Sequence, residues 1–300
     1  MPEAHPAYEA ANPVAAGVWR ACIEELDAPK PGNVSFASAG HGMTAADFVA
    51  SARCTADALG TPGLSLGERV LGGVQATRAA TGLNTNLGIV LLCAPLAQAA
   101  LDGRPDRPLR AGLVQVLEDA TIEDAERVFA AIRLAEPAGL GESERHDVRD
   151  PAAAPLLAVM REAERRDRVA RQYARRFEDV FDLGLAALAR SRMRWPGPQA
   201  VVALHLTFLA RFKDSHIERK LGTLISQRVR LEALRLIERL EASESPEMNV
   251  GELTRFDRSL KSRRINPGTS ADLTVATLLA ANLLDERGES RRGPTSAERG

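Results

Sequence analysis

Aromatic residues are scarce in this 300-residue chain, only 4% of the total, and no segment alternates apolar with polar residues for long enough to build a sheet. With Ala, Leu and Arg frequent instead, the chain is expected to be all-α, a single compact multi-helix domain with buried central helices. An excess of either charge is lacking too. The 39 basic and 40 acidic residues give a net charge of −1, which offers no field to hold nucleic acid or an acidic membrane surface, so any phosphate binding must be local. Cysteine is limited to Cys22, Cys54 and Cys93, in apolar surroundings and without CxxC spacing. Buried thiols of a reduced cytoplasmic protein fit that pattern better than a zinc site. The longest apolar run, Leu87 to Ala97, is too short to span a bilayer, and the MPEAHPAYEAANP start has no basic region followed by a long apolar core. A cytoplasmic location without membrane contact is therefore expected. Hydrophobic residues still make up 45% of the chain, enough for a sizeable core.

The stretch TGLNTNLGIVLLCAPL, Thr81 to Leu96, is the one around which the rest is organised. Thr81, Gly82, Asn84, Thr85, Asn86 and Gly88 can turn the backbone tightly and leave amides unpaired where the apolar run Leu87 to Leu92 begins. An anion site at a helix N-terminus is built in this way. Asn84 or Thr85 could cap the helix, while Gly82 and Gly88 would let a ligand reach the backbone; a plain capped core helix has the same composition. Pro95 is expected to kink or end that helix. A second polar entry, Asn266, Pro267, Gly268, Thr269 and Ser270, opens the last apolar helix, with Asp272 in its first turn.

Ahead of these, apolar positions at Val14, Val18, Cys22, Ile23 and Leu26 predict a helix over 13–28 that Pro29 ends. Lys30 to Thr44, which holds Gly32, Asn33 and His41, has no periodicity, and long irregular segments are usually functional or mobile. Thr44 with Asp47 three residues on predicts an N-cap and a helix through Leu59 carrying Asp47, Ser51 and Cys54 on one side. Further helices are expected over 65–80, 105–117, 122–135, 199–212, 221–240 and 250–262, and helical pattern continues from Arg161 past Leu188. Glu136 to Pro155 is the clearest loop, a lid or a connection. Glu178, Asp179 and Asp182 could share a magnesium ion or answer the neighbouring arginines, and His205 reads as a core histidine. KDSHIERKLG, Lys213 to Gly222, brings Asp214 and Glu218 to one edge and His216 and Lys220 to another, a metal-capable edge beside a phosphate-capable one, or simply a solvated charge run. The helical domain is expected over 13–286, with residues 1–12 flexible and 287–300 disordered.

Taken in order, KPGNVS, H-x-M-x-x-x-D-F-x-x-S, TGLNTNLG, DSHIERK and NPGTSADL resemble the triphosphoribosyl-dephospho-coenzyme A synthase family, from about Pro29 to about Leu284. The resemblance implies an all-helical enzyme in which ATP donates a triphosphoribosyl group, adenine leaves, and the 2′-hydroxyl of 3′-dephospho-CoA attacks the ribose C1 carbon. Magnesium (Mg2+) would accompany the triphosphate. On that resemblance Lys30, Gly32, Asn33, Ser51, Thr81, Gly82, Asn84, Thr85, Asn86, Gly88, Arg219, Lys220, Asn266, Gly268 and Ser270 are expected to bind nucleotide and phosphate. Asp214, Glu218 and Asp272 would hold the metal, and Asp47, His41, Asp214 and His216 would act in catalysis.

Two departures stand out. Thr85, Asn86 and Leu87 occupy the place where the better-known branch has Thr-His-Lys, and only one glycine precedes the Thr-Ser of the last motif. The acceptor therefore stays open, as does the choice between ATP and another phosphorylated ribose as donor. NTNLGI and the segment Ala131 to Gly141 resemble a shorter branch associated with tetrahydromethanopterin-linked one-carbon metabolism. Magnesium-dependent hydrolysis of an N-glycosidic or diphosphate bond, and a nucleotide-binding protein without turnover, are the alternatives. Apolar helical faces leave room for a homodimer.

Overall fold

The computed structural model describes residues 7–103, 106–137, 139–141, 145–243 and 249–289. Fourteen α-helices and one π-helical turn make up its regular structure, and the expected all-α class holds. Among the described residues there is no strand, only two isolated bridges, Ser35 with Ser38 and Gly40 with Met43, inside the aperiodic segment.

Local chemistry starts the first helices where their sequences place them. Asn12 accepts from the Ala15 amide at 3.0 Å ahead of α1 (Pro13–Asp27). Capping boxes open α2 (Ala45–Gly60) with Thr44 and Asp47, and α3 (Leu66–Thr81) with Ser65 and Glu68. Just ahead of α1 the Tyr8 ring stacks on Trp19 at 5.0 Å and its hydroxyl donates to Asp57 at 2.6 Å. At the other end Glu289 accepts from the Leu109 amide at 3.0 Å. Residues 1–6 and 290–300, on which the expected flexibility and disorder also fell, lie outside the described part.

Pro95 does not end its helix. α4 (Leu87–Leu101) runs through it, although proline has no amide to offer the carbonyl four residues back. That carbonyl belongs to Leu91, and the buried Tyr173 hydroxyl donates to it at 2.6 Å. A tertiary contact thus satisfies the group that the proline frees. After α4 come α5 (Leu109–Glu118) and α6 (Ile122–Ala135), the latter on a Thr121–Asp124 capping box.

The continuous helical pattern expected after Arg161 breaks into α7 (Leu156–Ala163), α8 (Arg168–Ala174), a π-helical turn (Asp179–Gly184) and α9 (Leu185–Arg194). Asp167 caps α8 through the amides of Val169 and Ala170, at 2.8 and 3.0 Å. Arg176 and Phe177 take the left-handed conformation, φ 53° and 58°, with the Phe177 ring fully buried. Periodicity carries no trace of such a break, because both residues keep an apolar or charged character suited to a helix. The acids at this break answer arginines: Arg168 forks onto Asp179 at 2.7 and 2.8 Å, Arg110 onto Asp182 at 2.6 and 2.8 Å, and Arg171 reaches Glu178 at 2.7 Å. No magnesium site is formed there.

The remaining helices are α10 (Pro198–Arg211), α11 (Ser215–Leu221), α12 (Thr223–Ala242), α13 (Val250–Ser262) and α14 (Gly268–Glu286). α14 lies at the centre, packed against α1, α4, α9, α10, α11 and the π-helical turn. Leu273 through Leu283 are buried along its length, and each large aliphatic side chain removed from water there contributes about 1.5–3 kcal/mol. α10 and α4, the helix of the Thr81 to Leu96 stretch, are among its neighbours. No helix among the described residues is long and apolar enough to cross a membrane.

Candidate active site

The two polar helix entries face one cavity of about 860 Å3. Asn84, Thr85, Asn86 and Gly88 line it from the start of α4, and Asn266, Gly268, Thr269 and Asp272 from the start of α14. Neither helix has a side-chain cap at its N-cap residue. Asn84 Oδ1 reaches the Leu87 amide only at 3.4 Å, and Asn86 turns inward to donate to Thr55 and Thr77 hydroxyls at 2.6 and 3.0 Å. The Ser270 amide in the first turn of α14 is taken by Asp214, whereas the first turn of α4 has only the long Asn84 contact and leaves amides and a helix dipole to whatever enters the cavity.

The starts of α4 and α14 touch. A Cβ on Gly88 would lie 2.0 Å from Asp272 Oδ2, so only glycine admits the carboxylate here. Asp272 sits one step beyond the first turn of α14 rather than within it. Burial pushes its carboxyl well above the usual range, and the negative charges of Asp214 and Glu25 push it further.

Asp214 has a different place from the one expected. One carboxylate oxygen accepts from the Ile217 amide at 3.1 Å, capping α11, and the other takes the amide and hydroxyl of Ser270, both at 2.8 Å. Thr269 completes the seam, receiving the His216 amide at 3.1 Å and lying 3.0 Å from the Ser215 hydroxyl. Asp214 and Ser270 are buried and do not line the cavity. Among the described residues no three His, Cys, Asp or Glu side chains converge to hold a metal ion. Asp214, Glu218 and Asp272 are therefore not one ligand set: Asp214 has given its oxygens to two helix starts, and Glu218 accepts from Lys213 at 2.5 Å and from Thr223 at 2.6 Å.

His216, Glu218, Arg219 and Lys220 all line the cavity from α11. His216 Nδ1 stands 2.7 Å from where a Cβ on Gly268 would be, and its Nε2 is buried without a hydrogen-bond partner. Burial, then Arg219, Lys220 and His41, lower its pKa to about 4, which makes it neutral at pH 7. Arg219 pairs with Asp167 at 3.2 Å. His41 lies across the cavity in a left-handed turn, φ 57°, with Nε2 donating to the Gly32 carbonyl at 2.8 Å.

Of the first motif, only Asn33 lines the cavity, and it donates to Asn266 at 3.0 Å. Gly32, at φ 83°, packs where a Cβ would meet Leu260 and Pro267 at 2.8 Å, and its amide is latched to Asp257 of α13 at 2.8 Å. Lys30 is buried away from the cavity: its ammonium pairs with Glu25 at 3.2 Å and donates to the carbonyls of Glu25, Ala28 and Val34. Asp47 is a cap, receiving the amide and hydroxyl of Thr44 at 2.7 and 2.8 Å, and these bonds hold its carboxyl below the usual range. Ser51, Thr81 and Gly82 support the α4 entry from behind; Ser51 meets the Thr85 hydroxyl at 2.5 Å, and Gly82 ends α3 at φ 69°. These residues hold up the cavity rather than face it.

Other lining residues carry no motif. Glu25 lines the cavity from α1, and its signal was an acid on the apolar stripe with Val18 and Cys22. Arg145, Arg165 and Arg166 add positive charge at the side reached by the Glu136–Pro155 loop, which supplies His146 and Asp147 as well. The cavity also has an apolar sector of Leu91, Val128, Phe129, Ile132, Val159 and Met160. Those residues look like ordinary core in sequence, and nothing local distinguishes them.

A pocket that gathers two helix starts, several basic side chains and an apolar sector is that of an enzyme for large phosphorylated substrates. The chain matches the profile of the ATP:dephospho-CoA triphosphoribosyl transferase family over residues 11–291, and it belongs to that family of transferases. Its fold is similar to that of a crystal structure from Archaeoglobus fulgidus that carries the provisional name triphosphoribosyl-dephospho-coA synthase. The TM-score is 0.61 at 20% identity, over 79% of this chain and 96% of that one. No curated protein matches the chain.

Proposed function

We propose that the chain transfers the triphosphoribosyl group of ATP to the 2′-hydroxyl of 3′-dephospho-CoA and releases adenine. The observation that carries this reading is the cavity that gathers the starts of α4 and α14, the basic side chains Arg145, Arg165, Arg166, Arg219 and Lys220, and an apolar sector. The helix starts suit the triphosphate, with Arg219 and Lys220 supplying the positive charge that Leu87 does not. The apolar sector suits the long, uncharged arm of a coenzyme A precursor, and Arg145, Arg165 and Arg166 suit its diphosphate. A magnesium ion fits as a companion of the phosphates, with Asp272 as its carboxylate ligand, since magnesium is commonly held by one or two carboxylates and phosphate oxygens. Such an ion would neutralise the triphosphate. His41 and His216, on either side of the cavity, are the side chains placed to hold or pass protons near the leaving base.

The test is incubation with magnesium and ATP, with and without dephospho-CoA, followed by chromatography for adenine and mass spectrometry for the adduct. Adenine released together with the adduct, and only with the acceptor, is the expected result. Adenine or free ribose triphosphate without acceptor would favour a hydrolase, and ATP binding without product would favour an inactive binding protein. An acceptor from one-carbon cofactor synthesis is the second reading, favoured by Asn86, which faces Thr55 and Thr77 and cannot replace the histidine of the better-known branch. Product with such an acceptor, and none with dephospho-CoA, would establish it.

A further inference from the structure

Glu25 is the one acid of the cavity that has a buried cation built behind it. Its side chain is 4% exposed, and the Lys30 side chain, 0% exposed, lies 3.2 Å away. Backbone carbonyls of Glu25, Ala28 and Val34 all face the Lys30 Nζ, an arrangement that uses every proton of an ammonium and that a neutral amine could not fully satisfy. Burial lowers the Lys30 pKa and raises that of Glu25, each draws the other back toward the charged form, and the three carbonyls with the 3.2 Å contact favour the ion pair. Burying such a pair seldom stabilises a fold relative to apolar residues of the same size, so stability is a poor reason for its presence. Asn33 and Asn266, bonded to each other, join Glu25 on the cavity wall and bring the first and last motifs beside it.

We propose that Glu25 is a catalytic residue, a fixed negative charge set against the ribose carbon as the base departs, and that Lys30 positions it. The proposal rests on the ribosyl-transfer reading above. In the step concerned, the bond from ribose C1 to the adenine nitrogen breaks and its electron pair leaves with adenine, while an oxygen of the acceptor hydroxyl bonds to C1. The hydroxyl proton is taken up, and adenine protonated, by way of His41 and His216, so Glu25 is unchanged at the end. Positive charge on C1 is greatest between breaking and making, and a preorganised carboxylate acts on it there.

The decisive variant is the double neutral one, Glu25→Gln with Lys30→Gln, which removes both charges without leaving either alone. It is compared with the wild type in thermal unfolding, ATP affinity and the rate of adenine release with dephospho-CoA. The expected result is a folded protein whose ATP affinity stays within threefold and whose release rate falls 100-fold or more. A folded double variant that keeps more than a tenth of the rate would overturn the proposal and make the pair structural. Should the double variant not fold, Glu25→Asp decides: it keeps the charge but withdraws it by one methylene, and a rate unchanged within threefold would equally overturn the role. A wild type that releases no adenine with any acceptor would instead sink the transfer reading, and this proposal with it.

Discussion

At the scale of single residues, the histidines and one glycine make the sharpest claims. His205, fully buried on α10, has neither ring nitrogen in a well-aligned hydrogen bond, and burial, then Lys30, lower its pKa to about 3. His216 is lowered to about 4. Both bind a proton more readily unfolded than folded, so the unfolded state holds more protons below the ordinary histidine value of about 6.5. Stability should therefore rise with pH between about 4 and 6.5 and level off above. Unfolding temperatures measured across that range check this, and His205→Leu should flatten part of the rise while leaving the fold intact. Gly88→Ala should push Asp272 aside and cost roughly 100-fold in rate with little change in unfolding temperature, since an ångström of misplacement suffices for that. Normal turnover by the alanine variant would show that Asp272 is not needed where it stands.

Elements are joined here by single polar side chains. Asp214 ties the starts of α11 and α14 together, so Asp214→Ala should lose two caps and strand a buried hydroxyl, at about 2–4 kcal/mol. Urea unfolding measures the loss; a cost below about 0.5 kcal/mol would mean the seam holds without it. Tyr173 does the same for α4, and Tyr173→Phe should cost about 1–3 kcal/mol by leaving the Leu91 carbonyl unpaired beside Pro95. The capping boxes at Thr44, Ser65 and Thr121 act within four residues, which is why their helices were legible from sequence. Tyr173 is 82 residues from Leu91, and no local pattern joins them.

For the whole molecule, the charges balance to −1 and the binding capacity is concentrated in one cavity. Ligand binding there should show as global stabilisation: magnesium and ATP at about 100 times the dissociation constant should add about 2.7 kcal/mol to the unfolding free energy. A urea midpoint unmoved by ATP but raised by another phosphorylated ribose would reassign the donor. Added salt should weaken the effect, because the arginines and Lys220 at the rim are partly open to water.

Sequence alone determined the helical class, most helix starts, and the two polar entries that line the cavity, because capping, periodicity and turn chemistry are all local. It also determined which stretches matter, since residues of every motif meet at or just behind one pocket. Tertiary structure decided the division of labour inside those stretches. Lys30, Asp47 and Asp214 have the chemistry of ligands and catalysts, yet they are committed to Glu25, Thr44 and Ser270. Glu25 and the apolar sector carry no motif and yet face the cavity. A side chain's role depends on which partners use its charge and hydrogen-bonding capacity first: Thr44 and Glu25 lie three and five residues from Asp47 and Lys30, whereas Ser270 reaches Asp214 only when α14 is packed against α11.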